Sequence, residues 1–243
     1  MQASKFQLIY FLSIFYVVTS FNFSFAQSKN DSLLIKLTEA THDSIKIKLL
    51  IDAGDNLFYT FPDTSFTYYT QALELSKKIK SNKFEALSLL NIGYYFDDKE
   101  SYQESLNYYL KAIELYKSVN DEIGVADCYN YIGYSFSYLN SIENSFKYYI
   151  KALDIYLKLN DSVGMADVYT GFGNLYYEQE NYIRAEDYYS KSLNIYNALK
   201  DTEGVLSSYI NLGNTISENG STKQGLDYYF KSIELSKEID DYE

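Results

Sequence analysis

Tryptophan is absent from the 243 residues, and cysteine, histidine and proline occur once each, as Cys128, His42 and Pro62. Each scarcity closes a class of chemistry. A single cysteine forms no internal disulfide and no CxxC metal or redox pair, and within an amphipathic helix Cys128 reads as a small core residue. A single histidine removes histidine-rich metal sites and leaves no partner set for a Ser/His/Asp triad. His42, beside Asp43 in a polar link, reads as an exposed loop residue. Arginine is as scarce: Arg184 is the only one among 21 basic residues, which face 33 acids for a formal net charge of −12. Such a chain offers no basic stripe to release counterions from a phosphate backbone, so nucleic acid is not an expected partner. The acidity mildly favours a basic one. No phosphate-cradling loop, nucleophile elbow or His/Cys cluster occurs. No catalytic, cofactor or metal residues are assigned, and an enzyme is not expected.

What the chain has in abundance is tyrosine, 29 residues with 15 phenylalanines, in a 47% hydrophobic and 22% charged composition of ordinary globular kind. The N-terminus reads "MQASKFQLIYFLSIFYVVTSFNFSFAQSKN". Lys5 gives a positive start, Phe6 to Val18 is almost continuously apolar, and Ser24-Phe25-Ala26 places small residues three and one before a cut ahead of Gln27. That is the three-part design of a secretory signal over residues 1–26, so an exported, periplasmic or extracellular, bacterial protein is expected. The alternative is an uncleaved membrane anchor, against which stand Ser13, Thr19, Ser20, Asn22 and Ser24.

Beyond the leader the chain repeats itself. Glycines stand at 93, 133, 173 and 213, and tyrosine pairs at 68-69, 108-109, 148-149, 188-189 and 228-229, always at one constant step. A small residue follows each pair by three: Ala72, Ala112, Ala152, Ser192 and Ser232. Five copies therefore tile 41–80, 81–120, 121–160, 161–200 and 201–240 without insertion or deletion. Each copy carries two helical periods, as in Leu89, Ile92, Gly93 and Phe96, then Leu106, Tyr109, Leu110, Ile113 and Tyr116. Asp121, Asp161 and Asp201 are placed to cap first helices, and Asn181 to cap a second one. Ser101 with Glu104 and Ser221 with Gln224 read as capping boxes. Pro62 falls in a first helical turn. A glycine inside each first helix costs about 1 kcal/mol relative to alanine. Its recurrence implies close approach of the two helices of a hairpin, with the small residues at 72, 112, 152, 192 and 232 serving the same end. Ala53 stands where the other copies have glycine.

These positions resemble the tetratricopeptide repeat: Ile92-Gly93, Phe96, Ser105, Tyr109 and Ala112, and again Ile132-Gly133, Phe136, Ser145, Tyr149 and Ala152. The repeats are 40 residues long, against about 34 for the usual form, and lack its proline. The resemblance is to the longer-helix variety, and in its setting to the N-terminal sensory region of bacterial histidine kinases and related regulators. It implies an all-α, right-handed superhelical solenoid of antiparallel helix hairpins. Residues 27–40 read as a lead-in with a half-repeat helix, and 241–243 as the start of a continuation, since a stacked array needs a polar terminal cap.

In that family the first helices line a concave groove. Matched by register, the groove here offers Asn91 and Tyr94, then Asp127, Asn130, Tyr134 and Tyr138, then Asn174 and Tyr177, then Asn211 and Asn214. Asparagine bonds both donors and acceptors of an extended peptide, and tyrosine adds rigid contact area. The Lys/Arg clamp with which chaperone-binding members hold a terminal carboxylate is missing. The resemblance thus implies an exported scaffold that binds a protein or peptide segment, without cofactor, as the sensor part of a signalling protein. The alternative is a structural module that self-associates through its last repeat. In either case the membrane is met only through an uncleaved leader.

Overall fold

The computed structural model describes residue 33 and residues 35–242, with side chains through residue 238. Residues 1–26, where the sequence reads as a leader, and half of the lead-in segment 27–40 lie outside the described residues; residues 35–39 are helical. Among those described there is no strand, and no helix is long and apolar enough to cross a membrane. Ten helices of nearly constant length follow residue 42: α1 (Asp43–Leu57), α2 (Pro62–Lys78), α3 (Asn82–Asp98), α4 (Tyr102–Ser118), α5 (Glu122–Tyr138), α6 (Ile142–Leu159), α7 (Ser162–Glu178), α8 (Tyr182–Leu199), α9 (Thr202–Glu218) and α10 (Thr222–Tyr242). From α2 onward the helix starts are evenly spaced, two to a repeat, so each repeat holds one antiparallel hairpin.

Polar side chains start several of these helices. The carboxylates of Asp121, Asp161 and Asp201 accept from the backbone N–H of Gly124, Gly164 and Gly204 at 3.0–3.1 Å, each satisfying one orphan donor of the first turn. Asn181 does the same for α8. Pro62 opens α2, where its missing N–H is harmless. The expected capping box at Ser101 does not form. No side-chain cap bond is made there, and the hydroxyl donates instead to the Lys99 carbonyl.

The chain falls into two compact units divided between Tyr95 and Phe96. In the first, Ile47, Leu50 and Ile51 of α1 pack on Ala72 of α2, flanked by Leu75, Phe84 and Leu87. In the second, the core is a series of similar clusters. Ala126 of α5, Tyr149, Ala152 and Tyr156 of α6, and Val168, Phe172 and Leu175 of α7 form one; Ala185, Tyr189, Leu212 and Ile216 form another. Each buried large side chain contributes about 1.5–3 kcal/mol by leaving water, so a hairpin is held by its neighbours as much as by itself. Cys128 is a buried core residue and His42 is exposed. Leu110, expected on the packed face of α4, is exposed instead.

The glycine register has a different partner from the one expected. A Cβ built on Gly133 would lie 2.6 Å from the ring of Tyr149, one on Gly173 2.5 Å from Tyr189, and one on Gly213 2.7 Å from Tyr229. What fills the space is a tyrosine ring of the second helix, not its small residue. In the first hairpin Ala53 holds the register position, and the neighbouring Gly54 receives Tyr69. The small residues at 72, 112, 152 and 192 are themselves fully buried.

Candidate functional site: the groove of the second unit

Two of the tyrosines seated on these glycines, Tyr189 and Tyr229, end in a hydroxyl that reaches back to the first helix of its own hairpin. Tyr189 donates to Oδ1 of Asn174 at 2.7 Å, and Tyr229 to Oδ1 of Asn214 at 2.6 Å. Asn174 and Asn214 occupy one register, a repeat apart. With its oxygen engaged, each amide is left with Nδ2 as the group to offer a ligand, and no described residue accepts from it. The two side chains therefore present N–H donors, which suit peptide carbonyls.

Both amides border a cavity of about 460 Å³. Its walls come from three successive first helices: Ser137 and Tyr138 of α5; Asn174, Leu175, Tyr177 and Glu178 of α7; and Asn211 and Asn214 of α9. Asn140, Ile142 and Tyr189 complete it. Five of the residues singled out from the sequence thus meet there: Tyr138, Asn174, Tyr177, Asn211 and Asn214. Tyr134 stands behind Tyr138, ring centroids 4.7 Å apart, and Tyr102 stacks on Tyr138 at 5.1 Å. The others lie elsewhere. Asp127 accepts from the Tyr156 hydroxyl at 2.7 Å, and Asn130 is half-buried on α5. In the first unit the Asn91 amide approaches Asp55 at 3.5 Å, and Tyr94 packs on Phe58 with its hydroxyl 3.3 Å from that of Tyr59.

Register reasoning missed Tyr189, which the tyrosine-pair pattern assigns to the core, and Glu178, Asn140 and Ile142, which come from helix ends and loops. The sequence signal for Tyr189 exists: a glycine at 173 implies a large residue over it, and the polar residue at 174 is then within a hydroxyl's reach.

The acids of this unit form a second pattern. Asp97 is buried, accepting from Tyr109 at 2.6 Å and Ser135 at 2.8 Å. Asp167 accepts from Tyr196 at 2.6 Å. Burial pushes the carboxyls of Asp97, Asp127 and Asp167 above the ordinary range, against the pull of these hydroxyls. Asp127 reaches about 6, with Asp161, Asp121 and Asp167 adding repulsion. No group of three or more His, Cys, Asp or Glu among the described residues is arranged to hold a metal.

Family models described as tetratricopeptide repeat match residues 124–198 and residues 86–122. Comparison with curated protein sequences gives no match. Among solved structures, BtubC (BKLC) from P. vanneervenii superposes with a TM-score of 0.69 at 18% identity, over 90% of this chain and 93% of that one. A Rap protein complexed with Competence and Sporulation Factor gives 0.77 at 16% identity, over 88% and 60% of the two chains. NprR in complex with its cognate peptide NprX gives 0.70 at 16%, over 87% and 62%. The chain thus spans about three fifths of the Rap and NprR chains, and at these identities the likeness concerns the fold. The helix hairpins, the glycine–tyrosine packing and the family matches agree: residues 86–122 and 124–198 have the pattern and the fold of tetratricopeptide repeats.

Proposed function

We propose that this protein is a scaffold that binds an extended protein or peptide segment in the groove of its second unit. The observation that carries this is the pair of amides at Asn174 and Asn214, each turned by a tyrosine hydroxyl to present donors a repeat apart, with Asn211 between them in sequence and tyrosines on the rim. The fold supports the reading by analogy: the Rap and NprR structures named above hold Competence and Sporulation Factor and a cognate peptide. Panning displayed random dodecapeptides on the full chain tests it. Enriched peptides are expected to lose about tenfold or more in affinity on the Asn174→Ala/Asn214→Ala variant, a difference of ~1.4 kcal/mol. Enriched peptides that bind this variant as well as the parent would remove the groove from consideration.

The narrower reading is an exported scaffold serving as the sensor part of a signalling protein. It is supported by the apolar leader ending at Ala26 and by the family resemblance. N-terminal sequencing of the protein recovered from its native host, read as beginning at Gln27, is the expected result; a chain that retains Met1 and stays inside the cell counts against export.

A further inference from the structure

Charge separates the tyrosines of the second unit into two populations. In one register, stepping a repeat at a time, each ring carries a lysine of its own chain: Lys151 is 4.7 Å from the Tyr148 centroid, Lys191 4.6 Å from Tyr188, and Lys231 4.7 Å from Tyr228. These are cation–π distances. The rings at the groove have acids as neighbours instead. Glu178 lines the cavity beside Tyr177, and no Lys, Arg or His is among the described residues that line it. The Tyr177 hydroxyl is held above its usual range by burial, and after that by Glu218, Tyr182, Tyr229 and Glu178. Tyr182, edge-on to Tyr177 at 5.6 Å, lies in the field of Glu180 and Glu218. None of Glu178, Glu180 and Glu218 forms an ion pair among the described residues. Tyr138, 57% exposed although Tyr102 and Tyr134 pack on its ring, stands at the other wall.

We propose that the occupant of this cavity is an extended peptide segment carrying a basic side chain, which lies against Tyr138 and Tyr177 with Glu178 and Glu218 as its counter-charges; the proposal rests on the peptide-binding reading of the same groove. The amides at Asn174 and Asn214 hold carbonyls of the backbone, and the acids choose the side chain. Carboxylates on the ligand are rejected twice, by the local glutamates and by the net charge of −12. A lysine or arginine there completes an arrangement the chain already uses in its other tyrosine register, with the acid supplied in addition.

The test uses three labelled, end-capped peptides of one length, with glycine alternating with lysine, glutamine or glutamate, titrated against the full chain by fluorescence anisotropy. The lysine peptide is expected to bind at least about tenfold more tightly than the glutamine one, with the glutamate peptide weakest. Glu178→Gln/Glu218→Gln should remove most of that advantage. Glu74→Gln/Glu114→Gln changes the net charge equally at exposed sites outside the cavity, and should leave the advantage in place. Equal loss in both variants would mean adsorption to overall charge and would overturn the proposal. A glutamine peptide bound as tightly as the lysine one would also overturn it, while leaving the groove reading intact if Asn174→Ala/Asn214→Ala still weakens that binding about tenfold or more. Binding of none of the three overturns the charge preference, and the panned dodecapeptides then judge the groove reading on their own.

Discussion

A methyl group on residue 173 would lie 2.5 Å from Cε1 of Tyr189, well inside contact distance. The ring cannot easily retreat, because it is buried at 3% exposure and its hydroxyl is bonded to Asn174. Helix propensity alone would make Gly173→Ala stabilising by about 1 kcal/mol. Overpacking of about 1–3 kcal/mol opposes it, and with the ring pinned at both ends the second effect wins. Gly173→Ala is expected to destabilise by about 1–2 kcal/mol in urea unfolding, and the loss should vanish or reverse in a Tyr189→Leu background. Additive costs in that double-mutant cycle would show that the ring is not what the glycine accommodates. The same contact marks the limit of the sequence. Periodicity shows that 173 is always small and 189 always large, but it does not say that the two meet. The groove followed the same rule: Asn174 and Asn214 were visible through their register, whereas the hydroxyls that turn them were hidden in a pattern that reads as core.

At the scale of helices, starts were more legible than stops. Apolar side chains recurring at helical spacing identified helices from α1 to α10, and Asp121, Asp161 and Asp201 announced three of their beginnings. The ends are set by a backbone device without a consistent residue. Lys80, Glu100, Asn120, Asn140, Asn160, Glu180 and Lys200 all adopt φ of 55–57°, and Gly220 takes 89° at the next such step. At each such end the following N–H bonds back across the last turn, as in Ser81 to Ser76, Ser101 to Phe96 and Ser141 to Phe136, at 2.8–3.0 Å. This is the left-handed closure usually given to glycine. Asparagine tolerates it, but for lysine and glutamate it carries backbone strain. That strain is outweighed by the packing on either side of the turn, which fixes where the helix must end. Tertiary packing sets these stops and leaves the residue free to vary, so no local rule could find them. The even division of each repeat into two halves emerges only from the backbone.

Over the whole molecule, negative charge is kept in partly or fully buried positions without basic partners. Asp55 accepts from Tyr69, Asp97 from Tyr109, Asp127 from Tyr156 and Asp167 from Tyr196, at 2.6–2.8 Å, and none of the four forms an ion pair among the described residues. Burial raises all four carboxyls, and the tyrosine hydroxyls offset only part of that. Raised values mean that the folded chain takes up protons before the unfolded one does. For Asp127 the ordinary value is 3.8 and the folded value about 6, so its contribution is fully present below about pH 4 and is lost as pH rises through 6. Relief of self-repulsion in a chain of net charge −12 acts in the same direction. The melting temperature is therefore expected to rise as pH falls from about 7.5 to about 5, by roughly 2–4 °C for each kcal/mol gained in a domain of this size. Asp127→Asn keeps an acceptor for Tyr156 and removes the charge. It should melt higher than the parent at the upper pH, with the difference closing at the lower one. A melting temperature that falls steadily over this range, or an Asp127→Asn variant less stable at both ends of it, would mean that the hydroxyl bonds hold these carboxylates ionised in the fold.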